Sequence, residues 1–286
     1  MRLRGAIAAA LTPLEAGGVG LDDRAIEPMV AFLVEGGVDG VLVAGTTGEG
    51  VLLTLEERRR LTERILAARP SGFAVAVHCG AQTTADTVAL AAHARATGVD
   101  AVAVIAPPYF PLDDGEVFAH LLAAAHAADP LPFYVYEFRA RSGYAIPVAV
   151  VERLRADAGN VAGMKVSDTP WEAVEPYLLE GLDVFVGSEP LALRALGAGG
   201  AGSVSGLAAA FPEIVAALVH ERSEDAHAKV TLLRDRLAGI PFHAALKAVL
   251  GARGVPVGGA VRAPLRGLTA AERETALAAA REVGAL

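Results

Sequence analysis

The chain has one cysteine, Cys79, among its 286 residues, so it forms no intrachain disulfide and needs no oxidising compartment. Positive charge is also scarce. With 25 basic residues against 33 acidic ones and a formal charge of −8, the surface is a poor match for nucleic acid or an anionic membrane. No apolar run approaches the roughly 18 residues needed to cross a bilayer. The opening MRLRGAIAAALTPL sets two arginines before an apolar stretch, but that stretch is six residues long before Thr12-Pro13. The same pattern recurs downstream, so it reads as a first strand rather than a secretory signal. These absences set the expectation of a cytoplasmic protein whose partners are small molecules, with neither nucleic acid nor membrane among them.

Other absences narrow the fold. There is no polar low-complexity tract, and 53% of the residues are apolar, enough for a large packed core. No early strand is followed by a Gly-rich dinucleotide turn or a P-loop, which argues against an open nucleotide-binding sheet. His78 and Cys79 adjoin but lack ligand spacing, and no second His/Cys cluster accompanies them, so no metal site is expected.

What is present is alternation. Eight short apolar runs, at 6–11, 40–44, 73–78, 101–106, 133–138, 161–166, 183–187 and 202–205, have the near-continuous hydrophobicity of parallel strands covered on both faces. Each except the last is followed by a stretch with helical period. Thr54-Leu-Glu-Glu57 and Asp113-Asp-Gly-Glu116 both fit a capping box at a helix start. Ile26, Met29, Val30 and Leu33 share a helical face, although Pro28 leaves that helix's start open. Eight strand–helix units predict an α/β fold, a closed (β/α)8 barrel over residues 1–210. Segments 212–222, 223–237, 242–250 and 269–283 predict a helical C-terminal extension over 211–286, packed on the barrel and not independent.

In such a barrel the C-terminal strand ends face the active site. Four features stand there. Lys165, on strand six in Val-Ala-Gly-Met-Lys-Val-Ser, is either a dehydrated amine able to attack a carbonyl or the partner of an interior carboxylate. Gly45-Thr46-Thr47-Gly48 is either a nest of amides and hydroxyls for a small anion or an ordinary turn. Tyr136 is a proton relay or a core residue. Arg141 follows it. The glycines of 197–206 fit a backbone-lined anion site or close packing where a barrel shuts.

Together these segments resemble the dihydrodipicolinate synthase and N-acetylneuraminate lyase family, over nearly the whole chain. Gly45-Thr-Thr-Gly-Glu49 with Leu55-Glu-Glu-Arg58 resembles one signature, and Tyr136, Arg141-Ser-Gly143 and Gly163-Met-Lys165 resemble a second. Pro107-Pro-Tyr-Phe110, Gly187-Ser-Glu189 and Arg262-Ala-Pro264 fall where further family segments are expected. The resemblance implies that Lys165 forms an imine with pyruvate or a related 2-oxo acid, and that Thr46 and Thr47 hold its carboxylate. It further implies that Tyr136, with Thr47, relays protons, that Gly187 and Val204 line the pocket, and that Arg141 meets an aldehyde partner. No metal or organic cofactor is implied. A homodimer or homotetramer is.

The departures bear on the substrate. Glu137-Phe138-Arg139 replaces a loop that usually has Asn after the tyrosine and Pro two residues later. Glu137 and Arg139 either reshape the mouth or pair with each other. Val166 stands where an acidic or polar residue is common. Phe110 stands where synthase members lend a tyrosine across the dimer interface, and a phenyl ring carries no proton. Arg141, by contrast, matches the arginine with which synthases hold aspartate semialdehyde. The expectation is therefore an aldolase or dehydratase for a 2-oxo (deoxy sugar) acid. 4-Hydroxy-tetrahydrodipicolinate synthase is the alternative, and a non-catalytic 2-oxo-acid-binding relative or a phosphate-substrate barrel is further off.

Overall fold

The computed structural model describes residues 2–286; Met1 lies outside the described residues. Eight parallel strands close on themselves in sequence order, with the first pairing the eighth. They are β1 (Gly5–Ala9), β2 (Gly40–Val43), β3 (Ala74–His78), β4 (Ala101–Ile105), β5 (Phe133–Glu137), β6 (Val161–Val166), β7 (Asp183–Val186) and β8 (Gly202–Ser205). Eleven helices surround and extend them: α1 (Ile26–Glu35), α2 (Leu55–Ala68), α3 (Thr84–Thr97), α4 (Asp114–Ala128), α5 (Arg139–Ser142), α6 (Val148–Asp157), α7 (Ala192–Gly197), α8 (Pro212–His220), α9 (Glu224–Arg236), α10 (Phe242–Ala252) and α11 (Ala270–Glu282).

Strand side chains alternate between two cores. Ile7, Ala9, Leu42, Ala76, Ala103, Tyr134 and Phe185 fill the barrel interior, while Ala6, Ala8, Val41, Val43, Val75 and Val77 face the helices. Small interior residues leave room for two rings at the base. Tyr134 and Phe185 meet edge to face at 5.9 Å, and the Tyr134 hydroxyl accepts the Leu3 amide at 3.1 Å. The site must therefore lie above them.

Helix starts follow from local chemistry. Thr54 and Asp113 cap α2 and α4 in reciprocal boxes with Glu57 and Glu116, which satisfies amides that a helix cannot pair internally. Pro28 falls in the first turn of α1, where its missing N–H costs no intrahelical bond.

Two expectations about connections fail. No α-helix follows β6; the chain instead makes short 3-10 turns at Trp171–Ala173 and Glu175–Tyr177, because Pro170 and Pro176 withhold donors that a longer helix requires. A helix does follow the last strand. α8 packs against β1 and β8, so the segment assigned to the extension supplies the barrel's last covering helix. The glycines of 197–206 mostly precede β8 and lie at the barrel's opposite end from the strand C-termini. A Cβ on Gly202 would run into the Gly5 backbone, which is close packing where β8 meets β1.

Between Phe133 and Tyr134 the β5–β6 register shifts: Phe133 pairs with Val161, but Tyr134 pairs with Gly163. The extra residue reverses the in–out parity of β6. Val161 faces the helices, and so do Met164 and Val166, which turns Lys165 inward. Without the bulge, strict alternation from Val161 would point Lys165 at the helices.

Candidate active site

The C-terminal strand ends open into a cavity of about 450 Å³. Lys165 reaches it from β6 and is only 6% exposed. The β5–β6 register sets Tyr136 beside Lys165, with Nζ 4.0 Å from the ring centroid. Among the described residues no carboxylate pairs with this amine. The interior ion pair belongs to Lys247, whose Nζ lies 2.6 Å from Glu49.

The Tyr136 hydroxyl is 3.0 Å from Thr46 Oγ1. It is thus Thr46, rather than the Thr47 named from sequence, that continues the chain of hydroxyls from the phenol. The turn geometry explains this. Ala44 and Glu49 both adopt positive φ, and the Glu49 and Gly50 amides donate back to the Thr46 and Gly45 carbonyls. Thr46 Oγ1 meets Tyr136 while Thr47 Oγ1 lies toward Gly206. A Cβ on Gly50 would strike the Ala44 backbone, so the close fold of this loop needs glycine there.

The turn is held from two sides. His243 Nε2–H, on α10, donates to the Thr46 carbonyl at 3.0 Å. Glu49 accepts from Lys247 and, at 2.7 Å, from the Arg262 amide. His78 braces the Tyr136 ring edge-on at 5.7 Å and donates Nδ1–H to the Ala44 carbonyl at 3.1 Å. Burial above all, then the charge of Arg58, pushes its imidazole down to about 3, so it is a neutral buried strut at physiological pH.

Arg141, Gly187 and Val204 line the same cavity as Thr46, Thr47, Tyr136 and Lys165, so every residue selected from sequence meets in one place. Arg141 lies 5.6 Å from the Phe138 ring centroid. Glu189 faces the wall: it accepts from Ser205 at 2.5 Å, from the Leu207 amide and from Arg234 Nε at 2.7 Å. Burial alone would raise its carboxyl, but the Arg234 charge and these hydrogen bonds outweigh that and hold it below the usual value. None of the lining residues is acidic. Phe110 stands outside the cavity, 69% exposed, with its ring 4.9 Å from that of Tyr109.

Sequence reasoning missed His243, Arg234 and Phe242, which reach the cavity from α9 and α10. The only signal was a histidine two residues after Pro241 at the start of a helix whose one other polar side chain is Lys247. The arrangement presents a primary amine, a phenol, two hydroxyls and cationic side chains to one enclosed volume. Such a set suits carbonyl addition and proton transfer on an anion.

The sequence profile of the Dihydrodipicolinate synthetase family matches residues 2–283. This chain belongs to that family. It is an enzyme of the lyase kind. An uncharacterised DapA-like lyase of Halobacterium salinarum is 35% identical over 266 residues, covering 89% of this chain and 86% of the relative. The 4-hydroxy-tetrahydrodipicolinate synthase of Thermus thermophilus is 34% identical over 218 residues, covering 75% and 72%. Among solved structures, the N-acetylneuraminate lyase of Proteus mirabilis superposes with a TM-score of 0.91 at 30% identity, covering 100% of both chains. The (β/α)8 barrel with C-terminal helices is thus the fold of the dihydrodipicolinate synthetase family. Among the described residues no helix is long and apolar enough to cross a membrane.

Proposed function

We propose that this family member is a Schiff-base aldolase or dehydratase for a 2-oxo (deoxy sugar) acid, with Lys165 as the imine-forming residue. One observation carries the reading: the buried Lys165 amine, the Tyr136 phenol and the Thr46 hydroxyl adjoin in a cavity that no carboxylate lines. The amine adds to the 2-keto carbon and water leaves, giving a protonated imine. That imine draws the electrons of the adjacent carbon, so a neighbouring bond breaks or a proton departs to give an enamine. In the cleavage direction the bond to the hydroxyl-bearing carbon breaks into the imine: Tyr136 takes that hydroxyl's proton as its own phenolic proton passes to Thr46, the aldehyde leaves, and the enamine carbon is then protonated. Thr47 and the amides of its turn anchor the carboxylate, and hydrolysis frees Lys165.

Arg141 at the cavity rim favours a second reading, condensation of pyruvate with aspartate semialdehyde. Phe110 weighs against it, since positioned proton transfer contributes roughly 100- to 10,000-fold in rate and a phenyl ring offers none. The exposed Tyr109, Phe110 and Val51 suit burial against a second copy, and a homodimer or homotetramer is part of the proposal.

Incubation with pyruvate and borohydride should add a reduced adduct to Lys165 and leave Lys247 unmodified. An intact preparation giving no Lys165 adduct with any 2-oxo acid would overturn the assignment. Aspartate semialdehyde with pyruvate, set against a panel of 2-oxo-3-deoxy sugar acids at matched enzyme, separates the two readings. Efficient condensation without sugar-acid turnover would reverse the choice.

A further inference from the structure

Glu137 ends β5 one residue after Tyr136 and is 1% exposed. Alternation turns it away from the cavity. Its Oε2 accepts the Ile146 amide at 2.9 Å, and its Oε1 is buried without a partner. It makes no ion pair with Arg139, which is exposed. On the adjacent strand, Val166 is paired in register with Glu137, and Asp168 follows two residues later. The Asp168 carboxylate accepts the Arg139 amide at 2.9 Å and the Ala140 amide at 3.4 Å, the first two amides of α5. Arg141 is the next residue.

A buried carboxyl oxygen without a donor, beside a carboxylate already committed to two amides, is costly in either ionised arrangement. A proton on Glu137 removes both problems. We propose that Glu137 and Asp168 are a positioning pair: Glu137 in its acid form donates Oε1–H to Asp168, Asp168 holds the start of α5, and Arg141 is thereby set on the cavity rim. The groups facing Glu137 are Asp168 at the end of β6, Tyr144 after α5, and Tyr177 in the turn that follows β6. No cation is among them. Tyr144 donates to the Pro107 carbonyl and Tyr177 to the Ile146 carbonyl, so both phenols stay neutral. Burial above all, with the charge of Asp168 adding to it against the Ile146 amide, pushes Glu137 up to about 8. The pair is therefore joined below that pH and repels above it, which loosens α5.

The use of Arg141 for a second acidic group rests on the proposed function; the hold on α5 does not. Hydrogen exchange at the Arg139 and Ala140 amides, corrected for intrinsic rates from pH 6.5 to 9, reads the hold directly. Protection should fall roughly 10- to 100-fold across this range in the wild type, the worth of a charge-assisted hydrogen bond. It should stay level in Glu137→Gln, whose amide both donates to Asp168 and accepts from Ile146. Asp168→Ala, which removes the acceptor, should be unprotected throughout. Level protection in the wild type, or a decline in Glu137→Gln that tracks it, would overturn the pair. Should Glu137→Gln not fold, the wild-type series and Asp168→Ala still decide. In parallel, KM for the panel acid that turns over should rise through pH 8 in the wild type alone, with the pyruvate adduct at Lys165 unchanged. A missing adduct would sink the proposed function while leaving the exchange result to judge the pair.

Discussion

Lys247 and Glu49, 198 residues apart, meet at 2.6 Å with neither side chain exposed. Burial pulls the Lys247 amine below its usual range, and the Glu49 charge only partly opposes this. Removing one partner strands the other charge out of water, which costs about 3–5 kcal/mol. Lys247→Met should therefore lower the denaturant midpoint sharply, and Glu49→Gln combined with it should recover much of the loss. Equal midpoints for Lys247→Met and wild type would show that the pair contributes nothing. Because Glu49 closes the Thr46–Thr47 turn, Lys247→Met should also weaken pyruvate binding.

Tyr136→Phe keeps the ring against His78 and the Lys165 amine but deletes the phenolic proton. Turnover should fall roughly 100- to 10,000-fold with adduct mass still detectable at Lys165. Thr47→Ala should instead weaken 2-oxo-acid binding with a smaller effect on kcat. Full turnover in Tyr136→Phe, measured as aldehyde release, would move the relay elsewhere.

Arg141→Ala removes one guanidinium from a rim without carboxylates. If it contacts a second acidic group, about 1.5–3 kcal/mol of binding is lost, a rise of roughly 10- to 150-fold in KM for the acidic substrate. Steady-state kinetics with acidic and neutral aldehydes side by side check this. A shift of the same size for both would make the arginine's role steric.

Stability should respond to pH through two buried groups of opposite sign. His78 titrates near 6.5 when unfolded but near 3 when folded. Its contribution is present above pH 6.5 and is lost as pH falls toward 3. Glu137, about 4.5 unfolded and about 8 folded, contributes fully below 4.5 and loses its effect as pH rises to 8. Between 4.5 and 6.5 the two slopes offset. Urea unfolding of wild type and His78→Gln from pH 3.5 to 8 should show the variant losing less stability on acidification, with no difference in slope above 6.5. Parallel curves throughout would place the His78 proton uptake elsewhere.

A chain ending at residue 222 keeps every strand and α8 yet lacks His243, Lys247 and Arg262. It should fail to bind pyruvate and should unfold without a sharp transition, since Glu49 loses both of its partners and the face that α10 covers meets water. Circular dichroism on heating tests this; a cooperative melt would make the barrel self-sufficient.

The barrel was legible because its signals are local. Eight apolar runs, and the capping boxes at Thr54 and Asp113, need only neighbouring residues to act. The turns after β6 were missed because 167–182 has apolar residues at helical spacing, and Pro170 and Pro176 prevail over them. Lys165, Tyr136 and Thr46 were found through their strand-end positions and the family resemblance. Lys165 was read as interior from its place near the end of strand six, but the bulge at Ala162 that turns it there is announced by no composition. That Thr46 and not Thr47 meets the Tyr136 hydroxyl was not legible, because chain order cannot tell which hydroxyl a left-handed Ala44 turns inward. His243 and Arg234 arrive from helices remote in sequence, so only the folded chain brings them to the cavity.

The burial of Lys165 and Lys247 has a practical side. The sequence holds three lysines, and the third, Lys229, is on α9 beside Asp225 at 2.8 Å. With Lys247 sealed in its pair, side-chain amine reagents have two addresses, one at the surface and one in the cavity. Arginine supplies the remaining fixed positive charge and does not react under the same conditions. An acylating or carbonyl reagent followed by whole-protein mass should therefore give two side-chain steps, beside that of a free α-amine, rather than a smear. The step that a 2-oxo acid protects counts occupied sites directly, making the unmodified protein its own titration standard.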